Sequence, residues 1–482
     1  MMKWDFERMY SVFLKYNQKL LLDGLWGVER ELQRVTYEGD LALTPHPPAF
    51  GDKLVNKEIT TDFSESQMEL ITPPFPSVEE VDRYLSILHK KAEQEVGDEF
   101  LWPLSMPPRL PEEELIPIAV FPDTTEGQAA YRYRQGLANR YGKKMQMISG
   151  IHFNFSFGKD LLKLLHKEFG ENHTKTEFAD EIYFSVARNF LRYRWLLIYL
   201  YGASPSYDAT YASVMTKEVE IIRKCCPECC SNYDRFATSL RVSRYGYANP
   251  VQVRNYVYYN TREEYIQKIR ALMTRKSKKY AKIDKQLNDK ILQKDSEFYS
   301  SIRLKQITKP GESQLDALER RGVQYAEVRI LDVNPFVRNG ISLEQMYFLQ
   351  VFMLFCLFEE KQPLDLAEMK LINKNHHMVA LSGRKAKLML YHPNGGRISM
   401  IRWGESIFER LILIAGLLDQ ATDSSVYSRC IQSEYEKLKD STLLPSSRII
   451  EESNHNRESF LESGMRIAKA NKFVNKMEVS GW

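Results

Sequence analysis

Four short stretches of the chain alternate apolar and polar residues with a period of two, and their polar positions carry chemistry rather than solubility. In "GLWGVEREL", residues 24–32, Trp26, Val28 and Leu32 alternate with Glu29 and Glu31, which flank Arg30. A strand sends residues two apart to one face, so the two glutamates share a side and repel. In "MISGIHFNFSFG", residues 147–158, Ile151, Phe153, Phe155 and Phe157 fall on one face and His152, Asn154 and Ser156 on the other. A water-facing strand normally carries Lys, Glu and Thr, whereas a His-Asn-Ser row is the kind that lines a polar cavity. "ITTDFSESQMELITP", residues 59–73, supplies Asp62, and Glu69 between Met68 and Leu70. "YAEVRILDVNPF", residues 325–336, sets Glu327 and Arg329 opposite Ala326, Val328 and Ile330. Each stretch thus puts acid, imidazole or guanidinium on the face opposite its apolar residues.

Paired carboxylates avoid a non-aqueous site unless a counter-charge accompanies them. Taken alone, Glu29 and Glu31 read as a solvated strand face, and His152 as a structural histidine. Taken together, the four stretches favour a bound cation. Oxygen ligands with one histidine suit Mg²⁺ or Mn²⁺, not a structural zinc. Metals bridging phosphate oxygens, with an arginine to offset charge in the transferring group, describe a phosphoryl-transfer site. The chain has no G-x-x-x-x-G-K-[ST] loop and no G-x-G-x-x-G fingerprint, so a nucleotide's phosphates would be held by metals and side chains.

Other classes fit less well. The 482 residues include 67 basic and 63 acidic ones, a net charge of +4 too balanced to imply a nucleic-acid or membrane partner. The basic run "RKSKKYAK", residues 275–282, reads as a solvated helix face. The N-terminus lacks the apolar core of a signal peptide. The greasiest segments, 347–358 and 195–202, fall short of the roughly 20 apolar residues that span a bilayer, so they read as buried helices. Six cysteines without a secretion signal point to a reducing cytoplasm and free thiols. Four of them, Cys225, Cys226, Cys229 and Cys230, crowd into "CCPECC", where adjacent cysteines are awkward for one tetrahedral zinc. A surface loop is expected there, with a metal or redox site as the alternative.

At roughly 150 residues per domain, the length alone suggests about three domains. Helices are predicted over 5–20, 77–94, 178–201, 262–287, 343–360 and 406–419, with a C-terminal helix pair after "LPSSRIIEE". The Pro-rich stretch 106–117 reads as an ordered irregular loop.

The motifs "GVEREL", "ITTDFSESQMELITP", "LWPLSMP", "YRQGLANRYG", "MQMISGIHFNFS", "YLYGASP", "SRYGY", "EVRILDVNPF" and "LSGRKAKL" follow one another as in the bacterial-type glutamate–cysteine ligase family. The chain resembles that family from about Gly24 to the terminal helices around "ESGMRIAKANKF". The resemblance implies an α+β, glutamine-synthetase-like fold in which an antiparallel sheet forms an active-site funnel surrounded by helices. It implies one catalytic unit over residues 1–482 with a C-terminal helical extension, rather than three domains. It also implies a cytoplasmic monomer that takes L-glutamate, L-cysteine and ATP.

Residue by residue, the resemblance makes Glu29, Glu31, Asp62, Glu69, His152 and Glu327 the ligands of Mg²⁺, possible Mn²⁺ sites, that bind the phosphates of ATP. Arg329 matches the arginine near the transferring γ-phosphate, a role its permanent charge and forked donors suit. Tyr133, Tyr247 and Phe63 match the pocket around the cysteine side chain. Arg134 and Arg241 match arginines beside the amino-acid substrates, where guanidinium grips a carboxylate bidentately. One segment departs: in "DTTEGQAAYRYR", Thr124, Thr125 and Gly127 fit, but Gln128 and Ala130 stand where basic residues are usual. A γ-glutamyl ligase with another amine acceptor, or a homologue without catalysis, remains the alternative to the named reaction.

Overall fold

The apolar alternation of residues 24–35 becomes β1 (Gly24–Val35), the long strand on which the main sheet is built. The computed structural model describes residues 4–170, 173–215, 222–226, 231–244, 246 and 255–480. After β1 come β2 (Ile59–Thr61), β3 (Gln67–Ile71), β4 (Phe100–Leu101) and β5 (Ile151–Phe157). Next, β6 (Ser206–Asp208), β7 (Ile222–Cys226) and β8 (Ser231–Asp234) form a small sheet of their own, in the order β6-β8-β7. The chain returns to the main sheet with β9 (Ile302–Lys305) and β10 (Tyr325–Leu331) and closes with the hairpin β11 (Met389–Tyr391) and β12 (Arg397–Ser399). The main sheet has seven strands in the order β2-β3-β1-β5-β10-β9, with β4 pairing the end of β1. Every pairing in it is antiparallel, so the expected α+β class holds.

One face of this sheet is a continuous apolar layer. Trp26 pairs with Phe155, Val28 with Phe153, Leu32 with Met68, and Ala326 and Val328 continue the rows onto β10. All are buried. Helices Val78–Glu95 and Lys175–Tyr193 pack on the sheet, and Leu343–Phe358 lies against both helices. The last is apolar on every side and is buried throughout, as a central helix must be. Its start is fixed by Ser342 and Gln345, which cap each other's backbone N–H groups reciprocally. Helix Met400–Thr422 packs outside it. Among the described residues no helix is long and apolar enough to cross a membrane.

The predicted helices 77–94 and 343–360 match closely, and 406–419 lies inside the longer Met400–Thr422. The predicted 5–20 is helix Phe6–Lys15 followed by a 3₁₀ turn at Gln18–Leu22. The predicted 178–201 divides at Arg194 into Lys175–Tyr193 and Trp195–Tyr201. The predicted 262–287 is corrected to Arg262–Thr274. Beyond it the chain peels away, because Ser277 N–H donates to Asp289 O at 2.9 Å and Lys276 bridges to Lys290. The basic run is therefore largely loop and 3₁₀ turn, not a helix face. Cys225 and Cys226 end strand β7 rather than lying in the expected loop, and Cys229 and Cys230 lie outside the described residues.

The C-terminal pair is Pro445–Asn456 and Phe460–Ser480. The second of these docks on a smaller apolar cluster around Trp102, with the Trp102 and Phe460 ring centroids 5.7 Å apart. Gly464 permits the approach: a Cβ there would lie 2.1 Å from the Trp102 ring. That ring is fixed, since it is 1% exposed and its N–H donates to Met106 O at 2.8 Å. Glycine-to-alanine changes inside helices ordinarily stabilise by about 1 kcal/mol, but overpacking a rigid core costs about 1–3 kcal/mol. Gly464→Ala is therefore expected to lower stability. Gly416→Ala, in helix Met400–Thr422 with open space around the added Cβ, is expected to raise it. Denaturant midpoints of the two variants check the contrast, and equal shifts would refute the docking.

Candidate active site

Strand register decides which polar side chains meet. Glu31 on β1 stands directly opposite Glu69 on β3, and Glu29 opposite His152 on β5. Asn154 pairs with Glu327 on β10, and Glu327 with Arg303 on β9. Paired residues share a face, so these side chains form one polar band on the face opposite the apolar layer. The band walls a cavity of about 290 Å³, which also touches Asp62, Arg241, Lys305 and Arg329. The facing wall comes from helix Thr125–Tyr141, through Tyr133, Arg134, Leu137 and Tyr141, and from Lys294, Glu297 and Tyr299.

The imidazole of His152 sits at the centre. Its Nδ1 is 2.9 Å from Glu29 Oε2 and 3.5 Å from Glu327 Oε1, while Nε2 is 3.5 Å from Glu31 Oε1. Asn154 Nδ2 donates to the other Glu29 oxygen at 2.9 Å. Glu327 is fully buried, with Arg329 Nη1 at 2.6 Å and Lys305 Nζ at 3.1 Å.

The two halves of the band differ in charge balance. Burial pushes the Glu327 carboxyl up, but Lys305, Arg329, His152 and Arg303 together hold it well below the usual carboxylate range. Burial and Glu327 also push Glu29 up, yet its bond and charge interaction with His152, and the charge of Lys305, bring it below its ordinary value. On the far side the balance reverses. Burial raises Glu69 well above the usual range, and Glu29, Asp62 and Glu31 add to the rise against only a partial offset from Arg329. Glu31 is raised by burial too, with Asp62 adding and His152, Arg241 and Arg329 opposing only in part.

Among the described residues, two sets of ligand atoms are close enough to share an ion: Glu29, His152 and Glu327, and Glu31, Glu69 and His152, each within 4.8 Å. Oxygen donors with one imidazole match a hard divalent cation. In the Glu31–Glu69 set the protein's cations offset the carboxylates only in part, and a metal would complete the balance.

Three further residues hold the site in shape. Gly150 donates its N–H to Glu31 Oε2 at 2.8 Å. Its lack of a side chain admits Arg241, whose Nη2 would lie 1.8 Å from a Cβ there. Arg241 Nη2 donates to Arg329 O at 3.2 Å, and its Nη1 lies 3.8 Å from Asp332 Oδ1. Asp332 in turn accepts from Ala203 N–H, Ser204 Oγ and Ser239 Oγ. The "YLYGASP" and "LDVNPF" motifs thus meet behind Arg241.

Most sequence-expected residues converge, with exceptions. Asp62 is exposed but at the cavity wall. Phe63 does not line the cavity; it is 1% exposed in the apolar cluster around Trp102, turned away from its neighbour Asp62. Tyr247 lies outside the described residues. Arg134 donates through Nε to Asp62 O, through Nη2 to Thr61 O at 3.4 Å and through Nη1 to Ala130 O at 3.2 Å. Thr124 caps helix Thr125–Tyr141, residues 125–130 open it, and none of these is part of the cavity wall. Sequence reasoning missed Arg303 and Lys305, although "IRLK" carries the same two-residue period, with Ile302 and Leu304 on the apolar face. It also missed Lys294 and Tyr299, which sit in irregular chain with no period to flag them.

A family model described as Glutamate-cysteine ligase matches residues 11–379. A glutamate–cysteine ligase of Clostridium acetobutylicum is 52% identical over 481 residues, covering 97% of this chain and 100% of that protein. One from Pseudomonas putida is 39% identical, covering 94% and 86%. Among solved structures, a Francisella tularensis glutamate–cysteine ligase in complex with AMP superposes with a TM-score of 0.87 at 32% identity, over 94% of this chain and 89% of that one. A bifunctional glutathione synthetase from Pasteurella multocida gives 0.78 at 29% identity, over 98% of this chain and 55% of that one.

The charge imbalance makes a stability prediction. In metal-free buffer, Glu69→Gln removes one of the crowded charges, and the melting temperature is expected to rise by about a degree or more. Saturating Mg²⁺ is expected to stabilise the parent protein, by about 2.7 kcal/mol at a hundredfold excess over Kd, and the variant far less. A variant that melts lower than the parent without metal would show that Glu69 carries no electrostatic strain.

Proposed function

The chain belongs to the glutamate–cysteine ligase family, and from that membership we infer that it joins the γ-carboxylate of L-glutamate to the amine of L-cysteine with ATP, the first step of glutathione synthesis. The observation that carries this reading is the polar band itself: carboxylates crowded on one side of His152 and fixed cations, Lys305 and Arg329, on the other. A carboxylate is a poor electrophile, so ATP first converts the glutamate side chain to a γ-glutamyl phosphate and ADP. The cysteine amine then attacks the acyl carbon of this mixed anhydride, the amide bond forms and phosphate leaves. Such a site works by neutralising charge, aligning the reactants and excluding water from the anhydride.

Glu31, Glu69 and His152, and Glu29, His152 and Glu327, are the residues that would hold divalent cations, Mg²⁺ by preference. Bound there, the metal supplies charge neutralisation for the phosphates of ATP. Arg329 keeps a permanent positive charge beside Glu327, where it is suited to the transferring phosphoryl group. Arg241, braced by Asp332 and Gly150, presents its guanidinium to an amino-acid carboxylate. Tyr133 and Tyr299 close the acceptor side. We take residues 1–482 to act as one catalytic unit, a monomer in a reducing cytoplasm, where the buried thiols of Cys356 and Cys430 stay reduced.

An ADP-release assay with Mg²⁺, glutamate and a panel of amines tests the reading. Cysteine is expected to be the best acceptor, and release of ADP that depends on some other amine would keep the ligase and change its product. Arg329→Lys keeps the charge but loses the planar fork, and should lower kcat more than it raises the KM for ATP. If Arg329 only keeps Glu327 ionised, kcat stays near the parent value and the Mg²⁺ dependence shifts instead. Glu31→Gln is expected to cost a hundredfold or more in kcat/KM for ATP, about 2.7 kcal/mol of transition-state stabilisation, with the far-UV spectrum unchanged.

A further inference from the structure

A second cavity, of about 160 Å³, lies behind Tyr299, which lines both. Its buried charge is Arg194, 7% exposed at the break between helices Lys175–Tyr193 and Trp195–Tyr201. A buried guanidinium ordinarily has a carboxylate beside it. Arg194 has none among the described residues; its partners are neutral, Ser301 Oγ accepting from Nη1 and Asn373 Oδ1 accepting from Nη2 at 2.6 Å. Further N–H groups remain on the guanidinium, and Nε is shielded from solvent without a partner. Burial lowers the pKa of Arg194 to about 10, opposed only by the phenols of Tyr299 and Tyr259, so it is a cation at neutral pH.

Helix Leu366–Ser382 forms the facing side. Asn373, His376 and His377 are three and four positions apart, so they share a helix face, and all three line the cavity. His376 is 6% exposed, and its Nε2 lies 2.6 Å from Val242 O. A carbonyl only accepts, so Nε2 carries the proton and Nδ1 is left as an acceptor. Burial, with Arg194 and His377 adding and the Val242 bond opposing, holds the pKa of His376 well below the ordinary histidine value. The ring is therefore neutral and Nδ1 keeps its lone pair. Nδ1 of His376, like that of His377, is shielded from solvent and has no partner. The cavity thus sets an unopposed positive donor against a bare acceptor.

We propose that this second cavity binds free hydrogen phosphate, whose oxygens accept from Arg194 and whose own O–H donates to Nδ1 of His376. Size selects a small ion: a drug-sized ligand needs about 300 Å³ or more, so a nucleotide does not fit in the 160 Å³ here. The proton selects among small ions. Sulfate and a carboxylate supply the negative charge for Arg194 but no donor, and either would leave Nδ1 of His376 facing an oxygen with its lone pair unsatisfied. The site lies outside the reaction cavity but backs on it. Ser301, which accepts from Arg194, also accepts Arg329 N–H through its carbonyl at 3.0 Å, and Val242, which accepts from His376, follows Arg241 in the chain. Phosphate held between Arg194 and His376 therefore ties together the segments that support both arginines.

The test is equilibrium dialysis of inorganic phosphate and of sulfate against the full chain, free of nucleotide and Mg²⁺, for the parent, Arg194→Met, His376→Leu and Lys305→Met. The parent is expected to show a saturable phosphate site that prefers phosphate to sulfate by about tenfold or more, the scale of one hydrogen bond to a charged group. Arg194→Met should weaken phosphate binding by about tenfold or more on the same scale. His376→Leu should bring phosphate and sulfate to within about twofold of each other, since the acceptor that tells them apart is gone. Lys305→Met removes a cation from the sheet instead, and should leave the phosphate affinity within about twofold of the parent, as expected for a distant, independent position. The preference is a ratio measured on one preparation, and the parent's own ratio needs no variant to fold. A parent without saturable phosphate binding overturns the proposal, as does a parent that binds sulfate equally well. Binding that survives Arg194→Met and is lost in Lys305→Met places the phosphate in the reaction cavity and overturns it too.

Discussion

Glu31 and Glu69 face each other across a strand pair, an arrangement in which like charges cost stability. Two unit charges about 5 Å apart, at the effective dielectric of about 20 that suits protein sites, repel by about 3 kcal/mol. That is a sizeable part of the 5–15 kcal/mol by which a domain is stable, yet not enough to open it. Burial and this mutual repulsion raise the carboxyls of Glu69 and Glu31 above their ordinary range. What holds the arrangement is the reverse of the same strands. Each large side chain buried there, Trp26 and Phe153 among them, stabilises by about 1.5–3 kcal/mol, and the register that buries them also sets the carboxylates opposite one another. The strands cannot slip to separate the charges without turning the apolar face to water.

The neutralisation is divided. Glu327 and Glu29 have their cations built into β9 and β10, as Lys305 and Arg329, so that half of the band is charged in the same way with or without ligands. Glu31 and Glu69 lack so close a pair of fixed cations, and burial and like charge raise both. On the reading proposed above, the neutralised half would meet the transferring group with preorganised charge, and the other half would take the metal. Glu327 at 0% exposed is tolerable only on the first half.

The sheet was legible because strand periodicity is short and local. Glu29, Glu31, His152, Glu327 and Arg329 were all found from alternation within single stretches, and register then brought them together. Local signals stop at the turns. Asp62 and Phe63 are adjacent, and only one of the two can face the cavity; the chain turns Asp62 to it and Phe63 into the cluster around Trp102. Nothing in "TTDFSES" states which, since the answer depends on a core assembled from distant segments. The basic run 275–282 failed as a helix for a similar reason: Ser277 and Lys276 take partners at 289–290 that no local pattern announces.

Helix Thr125–Tyr141 is the costliest omission, because it forms the cavity wall that faces the sheet. Its buried residues are Gly127, Gly136 and Arg140, so it has no apolar stripe for periodicity to detect. Glycine at 136 admits Gln293, whose Oε1 would lie 2.0 Å from a Cβ there, and Arg140 pairs with buried Glu297 at 3.1 Å. The helix is thus fastened by close backbone approach and by a polar network instead of by greasy packing. The helix turns Tyr133, Arg134 and Leu137 to the cavity and is held by Gln293 and Glu297, and a single leucine makes no apolar stripe. Sequence pattern therefore falls silent where the fold departs from ordinary packing, and here that place is the wall of the cavity.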